Sequence, residues 1–351
     1  MSRLPILILL ALALPLASVA ADSRPRVFVF TDINIDRGDP DDRQSLIHLF
    51  WYADELDIQG VVPERWNAEG YEACELVVEN YVHDYTEFDW GRRGYPAPTV
   101  LRDVIARDRR DAETKLRDAV AAASPDDPLH VLVWGNMSLV GEFLRGAPDA
   151  TASIRLLTIG THLLMEENTP HLPANWARAS RPCEQPNWNG RGRNAIFNDS
   201  RFDQMWWLEM NWTYEGMFSG EEPKAIFAKL GGFGALGQHM HAVVKNEPWA
   251  RYFRVGATPT VLYLIDPRQR NAAPTTATWA GRYTRPFPEH RPNYFADDAG
   301  SVDWNYADPC ATWENHPAMR DAAKSTLEVE RPAMYAALLQ KLNSLYSIGS
   351  P

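Results

Sequence analysis

Short apolar runs alternate along the chain with segments whose apolar residues recur at helical spacing. Four apolar runs predict buried strands, at 26–31, 57–62, 130–133 and 154–159. Helical spacing predicts four helices between and around them, at 44–56, 68–85, 112–123 and 139–145. Strands that alternate with helices are typical of a mainly parallel sheet covered on both faces. The pattern therefore predicts an α/β fold of the Rossmann-like kind.

The second half of the chain is less regular. Its patterns predict a helix at 200–207, a strand at 260–265 and a helical tail at 319–345. A stretch rich in proline, asparagine and tryptophan, 170–193, precedes these elements, and excursions of this length in a compact domain are usually functional or disordered. Because no repeat or linker divides the chain, we expect a single large domain over 22–351.

The first 21 residues differ from the rest of the chain. They contain one arginine, an apolar run over 4–17 and small residues at Ser18 and Ala20, which is the pattern of a secretory signal peptide. The run is shorter than the roughly 20 residues of a spanning helix. We therefore expect 1–21 to be removed, the mature protein to be periplasmic or secreted, and no later segment to span a membrane.

Charge and cysteine content narrow the expected partners. A formal net charge of −11 argues against a nucleic-acid partner, because phosphate backbones bind basic surfaces. A small-molecule ligand is expected instead, and a homo-oligomer is left open. Cys74 lies in a helical pattern and is predicted to be a buried free thiol, whereas Cys183 and Cys310 lie in polar loops where a disulfide between them is left open.

An acidic stretch follows the first predicted strand directly. It reads TDINIDRGDPDD over 31–42 and contains five aspartates. Crowded carboxylates repel one another and raise one another's pKa unless a cation or hydrogen-bond donors keep them ionised. The stretch is therefore either a solvated acidic turn or a cation site. Ligands of parallel sheets bind outside the carboxyl ends of the strands, which is where these aspartates are placed.

The same stretch and four later ones resemble a known family. TD, a polar spacer and PDDRQSL are similar to the nucleoside hydrolase-like family that is described as cellulose-binding, and more distantly to inosine-uridine nucleoside hydrolases. Further similar segments follow in the same order: GVVPERWN, VLVWGNMSL, AIFNDSRFD, and GATPTVLYLI with WAGRY. The resemblance implies a nucleoside hydrolase-like fold for the mature chain.

The resemblance also implies roles for individual residues. Asp32 and Asp42 would hold Ca²⁺, a hard cation that takes six to eight oxygen ligands, together with a carbonyl from Met137 or Ser138. The ion would orient sugar hydroxyls and activate a water, with Asp32 as general base. Asp41 would be a second catalytic residue, either contacting the sugar or assisting on the base side. Two asparagines would bind ribose-like hydroxyls: Asn67 and Asn198.

Two positions depart from the family pattern. Ala257 stands where the family has an aspartate that binds the metal, and Ile196 stands where nucleosidases have a glutamate. Asp36 and Asp39, in the enlarged spacer, are the nearest possible substitutes for the missing acid. Two hypotheses follow: an exported Ca²⁺-dependent hydrolase of ribosyl-type N-glycosyl bonds, and a carbohydrate-binding protein that keeps the fold without hydrolysis.

Overall fold

A seven-stranded sheet forms the centre of the molecule. The computed structural model describes residues 24–35, 41–64, 66, 69–135, 137–159, 192–242, 252–268, 273–304, 306 and 317–347. In this part of the chain the strand order is β2-β1-β3-β4-β5-β7-β6, and every neighbouring pair is parallel except β6 and β7. The strands are β1 (Arg26–Thr31), β2 (Asp57–Pro63), β3 (Leu129–Val133), β4 (Ile154–Ile159), β5 (Trp206–Met210), β6 (Tyr283–Thr284) and β7 (Tyr294–Asp297).

Helices surround this sheet in the described part of the chain. They are α1 (Asp41–Trp51), α2 (Glu69–Glu87), α3 (Pro98–Val104), α4 (Arg109–Ala121), α5 (Ser138–Gly146), α6 (Gly192–Phe197), α7 (Glu222–Leu230), α8 (Gly234–Ala242), α9 (Pro259–Ile265), α10 (Pro317–Glu328) and α11 (Arg331–Leu345). Short 3₁₀ helices lie at Trp90–Arg93, Pro148–Ser153, Ser200–Phe202 and Thr213–Met217. None of the helices described is long and apolar enough to cross a membrane.

Strand β1 shows why the sheet is buried on both faces. All six of its residues are buried. Val27 and Val29 belong to one apolar cluster, and Phe28 and Phe30 belong to another, because successive side chains of a strand point to opposite faces. Such near-continuous apolar runs are typical of parallel strands that have helices on both sides. The α/β fold predicted from the sequence is confirmed.

Both outer edges of the sheet are short or covered. On one side, Ile105 forms a parallel bridge with Val61 of β2, and the Ala106 amide donates to the Val61 carbonyl at 2.8 Å. On the other side, β6 is only two residues long. In the described part of the chain, one edge strand is therefore partly covered and the other is very short.

Two elements predicted for the second half of the chain are wrong. The helix expected at 200–207 is a 3₁₀ turn followed by strand β5, and the strand expected at 260–265 is helix α9. A short apolar run that is buried all round has no periodicity to separate helix from strand. Pro259 in the first turn of α9 is the local helix signal, since proline suits that position.

Other sequence predictions hold with shifted boundaries. The predicted helical tail at 319–345 consists of two helices, α10 and α11, because the chain turns before Pro332 in the first turn of α11. Cys74 is a buried free thiol, as predicted. Residues 1–21, Cys183 and Cys310 lie outside the described residues, so the signal peptide and the disulfide stay predictions.

Candidate functional site

The end of β1 and the start of α1 are joined by side-chain hydrogen bonds. Thr31 is the last residue of β1, and its hydroxyl donates to the Asp42 carboxylate at 2.5 Å. The same hydroxyl accepts the Ile33 amide at 3.1 Å, which fixes the chain as it leaves the strand. Asp41 and Asp42 occupy the first turn of α1, where the helix dipole favours negative charge. The acidic stretch is therefore anchored at the carboxyl edge of the sheet.

Asp42 lies in contact with Asp32 and is only 4% exposed. Burial raises the pKa of the Asp42 carboxyl well above its ordinary value, and the charges of Asp41 and Asp32 and a hydrogen bond with Asp32 raise it further. The hydrogen bond from Thr31 lowers this pKa, but the raising effects are larger. Two carboxyl groups this close favour a shared proton or a bound cation between them.

Asp41 contacts the segment that precedes α9. Its Oδ1 accepts the Asp42 amide at 2.9 Å. Its Oδ2 lies so close to Gly256 that a Cβ atom at this glycine would come within 2.9 Å of the oxygen. The same Cβ would lie 3.3 Å from Tyr214 and 3.7 Å from Phe218. Gly256 therefore lets the carboxylate of Asp41 and two aromatic rings meet at one point.

The loop after β3 forms another side of the site. A Cβ atom at Gly135 would lie 3.0 Å from the Asp32 backbone nitrogen, so this loop runs directly beside Asp32. Met137 is fully buried, and its carbonyl accepts the Gly141 amide at 2.8 Å in the first turn of α5. One lone pair of this carbonyl is thus directed into the helix. The metal-ligand role of Met137 stays a prediction.

Ala257 lies next to Gly256 and is fully buried. Its methyl group offers no oxygen at the position where the resemblance places a metal-binding aspartate. Nowhere in the described ranges do three or more His, Cys, Asp or Glu side chains form a group that could hold a metal ion. The carboxylates of Asp32 and Asp42 match calcium in chemical type, but they supply few of its six to eight oxygen ligands.

Asn198 is not brought together with the aspartates. It is exposed and follows Phe197, whose ring packs against Trp207 and Tyr294 at centroid distances of 6.2 and 5.4 Å. Both partners lie near the amino ends of their strands, β5 and β7, so Asn198 lies toward the edge opposite the aspartates. Ile196 is buried in the apolar core. The other predicted site residues lie outside the described residues: Asp36, Asp39 and Asn67.

An aromatic wall beside Asp41 was not predicted. Tyr214 and Phe218, four residues apart around the 3₁₀ helix Thr213–Met217, have ring centroids 5.8 Å apart. The Arg254 guanidinium lies 4.7 Å from the centre of the Phe218 ring. The backbone amide of Arg254 also donates to Gln44 of α1 at 2.7 Å. The four-residue spacing of the two aromatics is the only sequence signal of this wall, and the same spacing is common in cores.

Comparison with known proteins identifies a sequence family and structures with a similar fold. The sequence model of the family described as "Cellulose-binding Sde182, nucleoside hydrolase-like domain" matches residues 26–283. No curated protein matches the chain by sequence.

Two solved structures share the fold at low sequence identity. A nucleoside hydrolase-related hypothetical protein from Saccharophagus degradans, described as associated with carbohydrate metabolism, is 16% identical, with a TM-score of 0.59 over 93% of this chain and 73% of that chain. An inosine-guanosine nucleoside hydrolase is 12% identical, with a TM-score of 0.51 over 92% of this chain and 99% of that chain. With the family match over most of its length, the chain belongs to the cellulose-binding Sde182, nucleoside hydrolase-like family.

Proposed function

We propose that the site at the carboxyl edge of the sheet binds a ribosyl-type compound and hydrolyses its N-glycosyl bond. The observation that carries this proposal is the contact between the buried carboxyl group of Asp42 and the half-buried carboxyl group of Asp32. A carboxyl group is rarely buried against a second one without a function, because burial and the neighbouring charge both oppose its ionisation. Their place at the end of β1 is where parallel sheets bind ligands.

Asp32 and Asp42 would hold a Ca²⁺ ion in this proposal. The bound ion would supply a fixed positive charge that orients sugar hydroxyls and lowers the pKa of a water. Asp32 would accept a proton as the general base. The Thr31 hydroxyl holds the Asp42 carboxylate in place at 2.5 Å. Three further residues would complete the metal site: Asp36, Asp39 and the carbonyl of Met137.

Asp41 would bind the substrate beside the aromatic wall. Its carboxylate meets Tyr214 and Phe218 at Gly256. A carboxylate can accept hydrogen bonds from two sugar hydroxyls, while aromatic rings bind the apolar face of a sugar or a base. Asn67 would add an amide contact to the sugar. Asn198 lies toward the other edge of the sheet and has no part in this arrangement.

A carbohydrate-binding protein without hydrolytic activity is the second candidate. Ala257 favours it, because a fully buried methyl group replaces the aspartate that the resemblance predicts there. With fewer carboxylates the ion is held weakly and supplies less catalytic charge. The carboxylates that remain can still bind sugar hydroxyls. The two candidates therefore share a ligand class and differ in turnover.

A calcium titration paired with a hydrolysis assay tests both candidates. The wild type, Asp42→Asn and Asp42→Ala are titrated with Ca²⁺ by calorimetry, then with ribose and inosine, and release of free base is measured by chromatography. Asp303→Asn is the matched control, since Asp303 is exposed. Calcium binding lost in both Asp42 variants, with base release, supports hydrolysis. Sugar binding without base release supports the second candidate, and no binding of ion or sugar contradicts both.

We also propose that the protein is exported after removal of 1–21, as its leader-like sequence predicts. Expression in a Gram-negative host, followed by fractionation and mass spectrometry of the intact protein, gives the mature amino terminus. A terminus at Ala21 or Asp22 outside the cytoplasm is expected. Full-length protein retained in the cytoplasm would contradict export.

A further inference from the structure

A cleft of about 620 Å³ lies far from the aspartates, at the amino edge of the sheet. Helix α1 begins at Asp41 beside the candidate site and spans about 16 Å, at 1.5 Å for each residue. The turn that follows α1, with Tyr52, Asp54 and Glu55, forms one wall of the cleft. Ile265, at the far end of α9, forms another wall. The cleft and the aspartates thus lie on opposite edges of the sheet.

Three aromatic residues line this amino-edge cleft: Tyr52, Tyr95 and Trp279. The Tyr95 hydroxyl donates to the Trp51 carbonyl at 2.7 Å, which fixes the orientation of its ring. The Trp279 amide donates to the Asp266 carboxylate at 2.8 Å, and its half-buried indole remains partly accessible. A partly exposed indole at the wall of a cleft is suited to packing against the apolar face of a ring.

The two acidic and two basic side chains of the cleft balance in formal charge, and three of them form ion pairs. The Lys341 ammonium donates to both Asp54 oxygens at 2.8 and 2.9 Å and to Glu55 at 2.7 Å. It also lies 4.7 Å from the centre of the Tyr52 ring. The Arg93 guanidinium donates to the Ser344 carbonyl at 2.5 Å. A charged ligand would meet groups of both signs, and to bind Lys341 or its two carboxylates it would have to break their ion pairs, which is costly.

A neutral ligand with many hydroxyl groups can bind without breaking the ion pairs of Lys341. Each ionised carboxylate has about four lone-pair sites, so Asp54 and Glu55 can accept hydroxyl protons while they stay paired with Lys341. Gln340 is exposed at the cleft and adds both a donor and an acceptor. The volume falls within the range of about 300–1,000 Å³ that is usual for small-molecule sites.

We propose that the amino-edge cleft is a second ligand site that binds a neutral saccharide, one or two sugar units long. Trp279 packs against a sugar face, and Asp54, Glu55 and Gln340 bind its hydroxyls. The site is separate from the aspartates at the carboxyl edge, and binding there does not depend on hydrolysis. A protein with both sites would hold a saccharide at one edge of its sheet while the other edge stays open to substrate.

Isothermal titration of the full chain with four neutral sugars tests this proposal: glucose, cellobiose, xylobiose and maltose. At least one is expected to bind with a millimolar or lower Kd. Gln340→Trp fills the cleft from an exposed position and should weaken binding at least tenfold. Asn343→Trp is the matched control, since Asn343 is exposed on the same helix but does not line the cleft. Thermal unfolding of both variants verifies that they fold.

Two further measurements separate this cleft from the candidate site. Asp42→Asn should leave sugar binding at the cleft unchanged, so failure of the proposed hydrolysis would not affect this result. The Kd should also change less than twofold between 50 and 500 mM NaCl, because the ligand is neutral and the formal charges that line the cleft balance. Binding of none of the four sugars, binding unaffected by Gln340→Trp, or binding abolished by Asp42→Asn would overturn the proposal.

Discussion

The Thr31 hydroxyl donates to the buried Asp42 carboxylate at 2.5 Å and so joins the last residue of β1 to the first turn of α1. Thr31→Val keeps the shape and the strand preference but removes the donor. Because a buried carboxylate oxygen then lacks its partner, we expect the free energy of unfolding to fall by about 1–3 kcal/mol. Urea denaturation measures this change. Thr31→Ser keeps the hydroxyl, and an equal loss in both variants would show that the hydrogen bond is not the cause.

Restoring an acid at Ala257 should make stability depend on calcium. Ala257→Asp buries a new carboxylate next to Gly256, the residue that lies against Asp41, and this destabilises the protein unless a cation neutralises the charge. We expect a lower Tm in EDTA, and recovery of most of the loss at millimolar Ca²⁺, because the ion binds only the folded state. Ala257→Asn adds a side chain of the same size without charge and should not respond to Ca²⁺. A Ca²⁺ response in the asparagine variant would point to an ion site elsewhere.

Asp297 should make the protein less stable as the pH rises toward neutrality. It is buried at the end of β7 and accepts the Trp212 amide and the Thr213 hydroxyl, each at 2.6 Å. Burial raises the pKa of its carboxyl to about 7, against 3.8 when unfolded. The folded state therefore favours the protonated form of Asp297. Its contribution to the free energy of unfolding is fully present below about pH 4 and is lost as the pH rises through 7.

Asp297→Asn removes this ionisation, so its free energy of unfolding should decline less between pH 4 and 8 than that of the wild type. The expected difference in decline is a few kcal/mol. Chemical denaturation at several pH values provides the comparison. Asp303→Asn, at an exposed position, should follow the wild-type curve. Parallel curves for wild type and Asp297→Asn would contradict the assignment.

His48 should have the opposite effect at acid pH. Its ring lies within the core between Tyr52 and Phe253, at centroid distances of 5.1 and 5.9 Å, and neither ring nitrogen has a hydrogen-bond partner among the described residues. Burial, with a smaller effect from the charge of Lys341, lowers the pKa of the imidazole from 6.5 to about 3. Stability is therefore fully present above about pH 6.5 and declines as the pH falls to 3.

His48→Leu fills a similar space without buried nitrogens. We expect its free energy of unfolding at pH 7 to match or exceed that of the wild type, and the gap to widen below pH 6.5. His83→Leu is the control at an exposed position and should leave the acid dependence unchanged. A constant gap between His48→Leu and the wild type from pH 7 to 4 would contradict this prediction.

The first half of the fold could be predicted because its apolar runs are separated by clear helical patterns. The predicted strand 154–159 matches β4, and β1 matches the run 26–31. The sequence predicts a helix that includes Trp206 and Trp207, but both lie in strand β5, whose largely buried apolar run has no periodicity to separate strand from helix. Whether such a segment forms a helix or a strand depends on its tertiary packing, which the local sequence does not show.

The candidate site could be predicted only in part for a related reason. Asp32, Asp41 and Asp42 lie close in sequence, so a single strand end brings them to one place. Tyr214 lies beside them at Gly256, which is more than 200 residues away from Asp41 along the chain. The sugar-binding role of Asn198 rests on the family resemblance alone, and Asn198, which follows α6, lies toward the amino edge of the sheet, away from the aspartates. Contacts between distant segments depend on chain direction, which residue spacing does not reveal.

The short or partly covered edges of the sheet affect the tendency of the protein to aggregate at high concentration. An exposed edge strand offers free amides and carbonyls to any other chain and so promotes aggregation. Here the bridge from Ile105 to Val61 covers part of β2, and β6 ends after two residues. Among the described residues, β6 is too short for a long intermolecular ladder, and β2 is already bonded at Val61 on its outer side. Both features reduce the backbone surface that is open to edge-to-edge pairing, whichever ligand the sites bind.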